Sequence, residues 1–321
     1  MAKYRTRLPQ LSDKLFLTDA GMETFLIFHE GTDLPHFAAF DLMKTDDGLA
    51  QVRRYYERFI AMARTGNLGF VLESPTWRAN PDWAAKLGYS REALADANRR
   101  AIALMAQLRD THETPDSPIV ISGNIGPRGD GYRPDAMMSA EEAHAYHAEQ
   151  AQVFRDTAAD FISAFTLNYV NEAIGIARAA KAAGMPVVLS FTVETDGRLP
   201  TGQTLKDAII ATDAATEQAP AYYMLNCAHP THFQDALADG EPWVKRLRGL
   251  RANASTRSHA ELDAAADLDA GDPVALGRQY RDLRKRMPQL NVLGGCCGTD
   301  HRHVEQIRFA CTSTSEQRSA A

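Results

Sequence analysis

At 321 residues, with 45% hydrophobic and 24% charged side chains, the chain has the make-up of an ordinary globular protein, long enough for one large domain or two smaller ones. Its 35 Lys and Arg stand against 41 Asp and Glu, and the resulting net charge of -6 offers no general attraction for nucleic acid or an anionic membrane. A small-molecule partner is expected, and the oligomeric state is left open.

The opening "MAKYRTRLPQLSDKLFLTDAG" lacks the apolar run of a signal peptide, and nowhere do about eighteen apolar residues follow one another, so a cytoplasmic location is expected. In a reducing compartment the 4 cysteines are expected to be metal ligands, catalytic groups or buried apolar residues, not disulfides. Cys296 and Cys297 are adjacent. Neighbouring Cα atoms sit about 3.8 Å apart whereas a relaxed bridge prefers roughly 5.5 Å, so this pair is a poor staple.

In chain order, the runs "KLFLTDAG", "LGFVLESP", "PIVISGNIG", "ADFISAFTLNY", "PVVLSFTVE", "YYMLNCAHP", "GLRANAS" and "LNVLGGCC" read as strands passing into loops. Helix-like segments separate them, which implies parallel pairing through right-handed crossovers. Ser139 and Glu142 form a capping-box pattern ahead of a helix whose Ala143, Tyr146, Gln150, Val153 and Phe154 make an apolar stripe. Gly184 ends "NEAIGIARAAKAAG" in the manner of a helix C-terminal glycine. The seventh run is short and polar, and "STRSHAELDAAADLDAGDP" after it reads as a long loop.

Eight strand-then-helix units in this length predict a single-domain α/β fold, the (β/α)₈ TIM barrel, for which ~250 residues is typical. A doubly wound open sheet is the other candidate, but neither a G-x-G-x-x-G nor a G-x-x-x-x-G-K motif supports it. Residues 1–12 are read as an N-terminal extension, 13–311 as the barrel and 312–321 as a flexible polar tail.

The barrel turns cysteine positions into geometry. Active sites of this fold lie at the C-terminal strand ends, where Cys227 closes the sixth strand and Cys296 and Cys297 close the eighth. Three thiolates converging there are a recognised Zn²⁺ arrangement, with a fourth tetrahedral position left over. Cys311 is read as a buried structural cysteine on the following helix; His229, His301 and His303 are further candidates for the fourth position.

At this point "NVLGGCCGTDHRHVEQI", "YYMLNCAHP", "FLTDAGMETFL", "GNIGPRGD" and "SFTVETDGRLPTGQTL" together resemble the homocysteine S-methyltransferase family, over roughly residues 13 to 310. The resemblance implies a (β/α)₈ barrel and a zinc held by Cys227, Cys296 and Cys297, whose open position takes the sulfur of homocysteine. Three thiolates already give Zn²⁺ a net negative site, which leaves a fourth sulfur reactive; a zinc-dependent hydrolase or lyase, the other enzyme class considered, wants histidine and carboxylate ligands. The resemblance further assigns the acceptor's amino group to Asp19, its carboxylate to the backbone amides of Met22 and Glu23, and a place beside it to Thr166.

Two departures stand out. Phe165 occupies the place of a family glutamate that helps hold the amine, so either Glu194 or Glu73 replaces that charge, or the acceptor's amino end is read differently and the acceptor is another thiol or selenol. "VLESPTWRAN" replaces a threonine-rich run, which puts Glu73, Trp77 and Arg78 forward at the rim as donor-site candidates, Trp77 by cation–π attraction. A chain of one barrel leaves no room for folate or cobalamin modules, so the expected donor is a small onium compound, S-methylmethionine or S-adenosylmethionine, with betaine and dimethylsulfoniopropionate as further candidates.

Overall fold

The computed structural model describes residues 1–312 apart from 136, 238 and 239. Eight parallel strands close in chain order: β1 (Phe16–Leu17), β2 (Gly69–Glu73), β3 (Ile119–Ile125), β4 (Phe161–Leu167), β5 (Val187–Phe191), β6 (Pro220–Asn226), β7 (Leu247–Ala252) and β8 (Val292–Gly295). β1 pairs with β8, Leu17 opposite Leu293, which rules out the open doubly wound sheet. Each strand coincides with one of the eight apolar runs, the polar seventh included.

Between them lie α1 (Met22–Glu30), α2 (Asp46–Thr65), α3 (Pro81–Lys86), α4 (Arg91–His112), α5 (Ala140–Arg155), α6 (Val170–Ala182), α7 (Leu205–Thr216), α8 (Pro230–Phe233), α9 (His259–Asp263), α10 (Pro273–Arg286) and α11 (His301–Thr312). Both halves of the Ser139–Glu142 capping box are formed at α5, and Gly184 follows α6 at φ 68°. On α5 the buried stripe holds Ala143, Gln150, Val153 and Phe154 as expected. Tyr146 is only half-buried, and His147 turns inward instead, 2.9 Å from Glu172 of α6. No helix among the described residues is long and apolar enough to cross a membrane.

Alternation along the strands builds two apolar layers. Phe16, Val71, Val120, Phe161, Val188, Met224 and Val292 form one cluster with Phe165 and Tyr222, and their immediate neighbours Leu17, Leu72, Ile121, Ile162, Leu189, Leu225 and Leu293 belong to the other, beneath the helices. Leu8 joins the first cluster, bringing the N-terminal segment under the barrel.

That segment is tied down by Asp160, the fully buried residue preceding β4. Its Oδ1 accepts from the amides of Lys3 and Tyr4, each at 2.7 Å, and its Oδ2 from the amide of Ile121 at 2.9 Å and from Arg109 Nη1 at 3.1 Å. Residues 1–12, read as an extension, therefore pack against the barrel. The tail expected over 312–321 starts inside α11 at Thr312; its other residues lie outside those described.

Asp160→Ala strands the buried Arg109 guanidinium and the amides of Lys3, Tyr4 and Ile121, and should cost about 3–5 kcal/mol of stability. Urea unfolding followed by circular dichroism checks this; a loss below about 1 kcal/mol, the size of an exposed ion pair, would contradict the assignment.

Candidate active site and metal centre

The C-terminal strand ends enclose a cavity of about 410 Å³. Cys227, Cys296 and Cys297 lie in its wall with their three sulfurs within 4.8 Å of one another. The expectation of unbridged cysteines is met only in part. Cys296 does not pair with its neighbour Cys297, but it is joined to Cys227 as a disulfide, their Cα atoms 5.4 Å apart. Tetrahedral coordination at Zn–S near 2.3 Å separates sulfurs by about 3.8 Å, so these three sulfurs have the donor chemistry for a shared cation and lie near enough to reach one once the bridge is reduced.

Local backbone explains the convergence. Cys227 sits just past β6 at φ 55°, a left-handed conformation that costs energy in a residue with a Cβ. Its amide donates to the Arg251 carbonyl at 3.0 Å, and its own carbonyl accepts from Asn253 Nδ2 at 3.1 Å and meets His259 Nε2. Gly298 turns the chain after the cysteine pair at φ 77°. Gly21 plays a different part from the tight turn its position suggests: at φ -75° it is small because the Cys296 carbonyl lies where a Cβ would go.

Thr166 lies opposite. β4 slips register between Ala164 and Leu167, a bulge that leaves Thr166 at φ 62°, unusual for a β-branched residue. The Asn226 side chain makes up the bonds the bulge breaks: Oδ1 accepts from the Thr166 amide and Nδ2 donates to Thr166 Oγ1, both at 2.9 Å. Thr166 Oγ1 is thereby placed 4.0 Å from Cys227 Sγ.

At the deep end lies a buried charge cluster. Arg251 Nη1 is 2.8 Å from Asp19 Oδ1 and 3.7 Å from Glu73 Oε2, with Phe165 packed against the guanidinium at 5.3 Å. Burial pushes the Glu73 carboxyl up to about 8, Arg251 opposing this and the Asp19 charge adding to it. Burial raises Asp19 too, against the pull of Arg251. Burial works against the Arg251 charge, yet Asp19 and Glu73 hold it well above its usual value.

The other sequence candidates divide. Met22 and Glu23 line the cavity at the head of α1, whose N-terminus has no side-chain cap. Trp77 and Arg78 line it as well, but the Arg78 guanidinium sits 4.1 Å over the Trp77 ring and 3.8 Å over Trp83, its Nη1 donating to the Gly129 carbonyl. Burial brings Arg78 down to about 10. Glu73 belongs with Asp19, away from these two. Glu194 is not among the cavity-lining residues; it is half-buried beside His259 Nδ1 at 3.3 Å. His229 caps α8 through Thr231, and His303 is bound to Asp300 and the Ala270 carbonyl, so neither joins the sulfurs. Cys311 is half-buried on α11, packed against the outer layer.

Three contributors escape sequence reasoning. Arg251 was hidden in a short polar strand. Tyr132, half-buried, brings its hydroxyl 3.8 Å from Cys297 Sγ and its ring 4.2 Å from that of His259. His259 opens α9 inside the stretch read as loop. A Ser258-x-x-Glu261 capping box, fully formed here, was the available signal.

Residues 16–311 match the family model described as homocysteine S-methyltransferase. Methionine synthase of Mycobacterium leprae (strain TN) is 25% identical over 279 residues, 80% of this chain. The chain spans only about a fifth of that protein's length (20%). Among solved structures, the homocysteine methyltransferase MmuM from Escherichia coli in its oxidized form superposes with a TM-score of 0.74 at 19% identity, covering 95% of this chain and 99% of that one. Its metallated form gives 0.69 at 18% identity, covering 92% and 96%. At these identities the likeness speaks for the fold.

The Glu73 proton has a consequence for stability. With a folded value of about 8 and an ordinary value of 4.5, the fold holds a proton the unfolded chain has lost, so this contribution is full below about pH 4.5 and disappears as pH rises toward 8. Glu73→Gln should gain stability relative to wild type between pH 5 and pH 8.5, by no more than about 1.4 kcal/mol per pH unit. Melting curves of both proteins across that range measure it; a constant difference means Glu73 is ionised throughout.

Proposed function

The chain belongs to the homocysteine S-methyltransferase family, and from that premise we propose that this methyltransferase moves a methyl group from a small onium donor to the thiolate of a small acceptor, which on the family's reaction is homocysteine, giving methionine. The observation that carries this reading is the convergence of Cys227, Cys296 and Cys297 on one wall of the cavity. Those residues, reduced, are the proposed ligands of Zn²⁺. Bound zinc supplies a cationic centre that favours the thiolate form of an acceptor whose free thiol, near pKa 8.5, is mostly protonated at neutral pH.

The remaining work falls to the protein's own groups. The amides of Met22 and Glu23 stand at the head of α1, which carries no N-cap side chain, and a helix N-terminus favours an anion, so the acceptor carboxylate is assigned there. Asn226 locks Thr166 against the sulfur wall. Tyr132 and His259 pack together at a tilt beside the sulfurs, narrowing water's access and restricting the approach of a donor to the line of transfer.

A cationic donor suits the rim. Asp130, Asp263, Asp267 and Asp269 line the outer cavity. Trp77 already carries the Arg78 cation on its ring, and Asp130 and Asp269 face Arg133 and Arg257, so the donor charge is assigned first to Asp263 and Asp267. S-Methylmethionine and S-adenosylmethionine are the first candidates, betaine the next.

Reduced protein should take up about one zinc per chain, and Cys297→Ala should lose both metal and methyl transfer while its circular dichroism remains that of the barrel. Zinc analysis and a methyl-transfer assay over the donor panel test this; full metal content in Cys297→Ala rules out the ligand set. Zinc X-ray absorption with and without homocysteine adds a further check, since an acceptor bound through sulfur adds one Zn–S contact. A site that binds zinc through four protein ligands and does not change with the thiol points to a non-catalytic module.

A further inference from the structure

The deep end of the cavity already contains its cation. Arg251 is 8% exposed, and its guanidinium is held on three sides: Nε donates to the Gly295 carbonyl at 3.0 Å, Nη2 to the Ala20 carbonyl at 2.9 Å, and Nη1 lies between Asp19 Oδ1 at 2.8 Å and Glu73 Oε2 at 3.7 Å. Phe165 covers it at 5.3 Å. A group anchored to two backbone carbonyls and a carboxylate does not swing aside for a ligand.

Both carboxylates are also committed inward. Asp19 Oδ2 accepts from Tyr55 at 3.1 Å, and Glu73 Oε2 accepts from Ser163 at 3.3 Å. Glu23, the third carboxyl of this end, is within electrostatic reach of both Arg251 and Arg78. An ammonium brought here meets a fixed like charge in a desolvated space, where Asp19 is already paired with Arg251 and burial keeps the proton on Glu73.

We propose that Arg251 occupies the position of an acceptor ammonium, and that the cavity selects a small thiol carrying a carboxylate but no charged amino group, a mercaptoalkanoate. This rests on the thiol-methylation reading and changes one part of it, putting a mercaptoalkanoate in the place of homocysteine as the preferred acceptor. The carboxylate keeps its place at the head of α1, the sulfur its place at the three cysteines, and the carbon beside the carboxylate faces Phe165 and the neutralised Asp19–Arg251 pair. Arg251 and Phe165 are then specificity residues, neither of which touches the reacting sulfur.

The discriminating pair is homocysteine and 4-mercaptobutanoate, which differ only by the ammonium. Whole reduced chain loaded with Co²⁺ reports thiol binding through its sulfur-to-cobalt absorption, without any donor. 4-Mercaptobutanoate should bind at least tenfold more tightly than homocysteine at pH 7.5. Arg251→Met, which frees both carboxylates, should reverse the order, and Arg251→Lys should keep it. Tighter binding of homocysteine by the wild-type protein overturns the proposal whatever the variants do, including a failure of Arg251→Met to fold. Binding of neither thiol defeats this proposal together with the thiol reading. Selective binding of 4-mercaptobutanoate with no methyl transfer from any onium donor supports the pocket assignment and defeats the methyltransferase reading instead.

Discussion

A guanidinium buried at the top of β7 sets the terms for the rest of the site. Removing a charge of that kind from water is unfavourable by several kcal/mol unless it is paired, and Arg251 is held by carbonyls from the first and eighth strand ends and paired with the Asp19 carboxylate. The same bonds tie together the segments that carry the sulfurs, because Gly295 precedes Cys296 and the Arg251 carbonyl receives the Cys227 amide. Position and charge at this end of the barrel are therefore one problem.

Strain accumulates around that anchor in a way that makes chemical sense. Cys227 and Thr166 both adopt left-handed backbone, and in each case side-chain amides from neighbouring strand ends, Asn253 and Asn226, take up the bonds that regular strand geometry no longer provides. The bulge in β4 re-aims one residue, Thr166, toward Cys227, while leaving Phe165 on the inner face beside Arg251. A single irregularity thus serves the sulfur wall and the deep end together. At the other end of the barrel Asp160 ties down the segment folded beneath.

Much of the fold was legible because strand alternation and helix caps are local. The runs that became β1–β8 announce themselves by composition and spacing, and the three cysteines could be placed at one mouth from strand number alone. The charge cluster was not legible, since nothing in "GLRANAS" marks Arg251 as the partner of Asp19, 232 positions away, or of Glu73. Burial decides what such residues do, and burial belongs to the assembled barrel. Glu194 shows the same limit from the other side. It ends a strand in sequence, but the turn that follows carries its side chain to His259 and leaves the cavity wall to others.

The two halves of the cavity obey different physics, and this separates reaction from selectivity. The sulfur wall depends on backbone: a left-handed cysteine, a glycine turn and carbonyls that fix both, the Arg251 carbonyl among them. The deep end depends on a balance of side-chain charges, in which an arginine supplies from within the protein the cation that a ligand otherwise brings. Phe165 brings no charge to the guanidinium it covers, and Arg251 against Asp19 cancels the anion beside it. The sulfurs keep backbone supports of their own even where the deep-end side chains change, so a barrel of this construction can keep one sulfur wall while changing which ligand it admits.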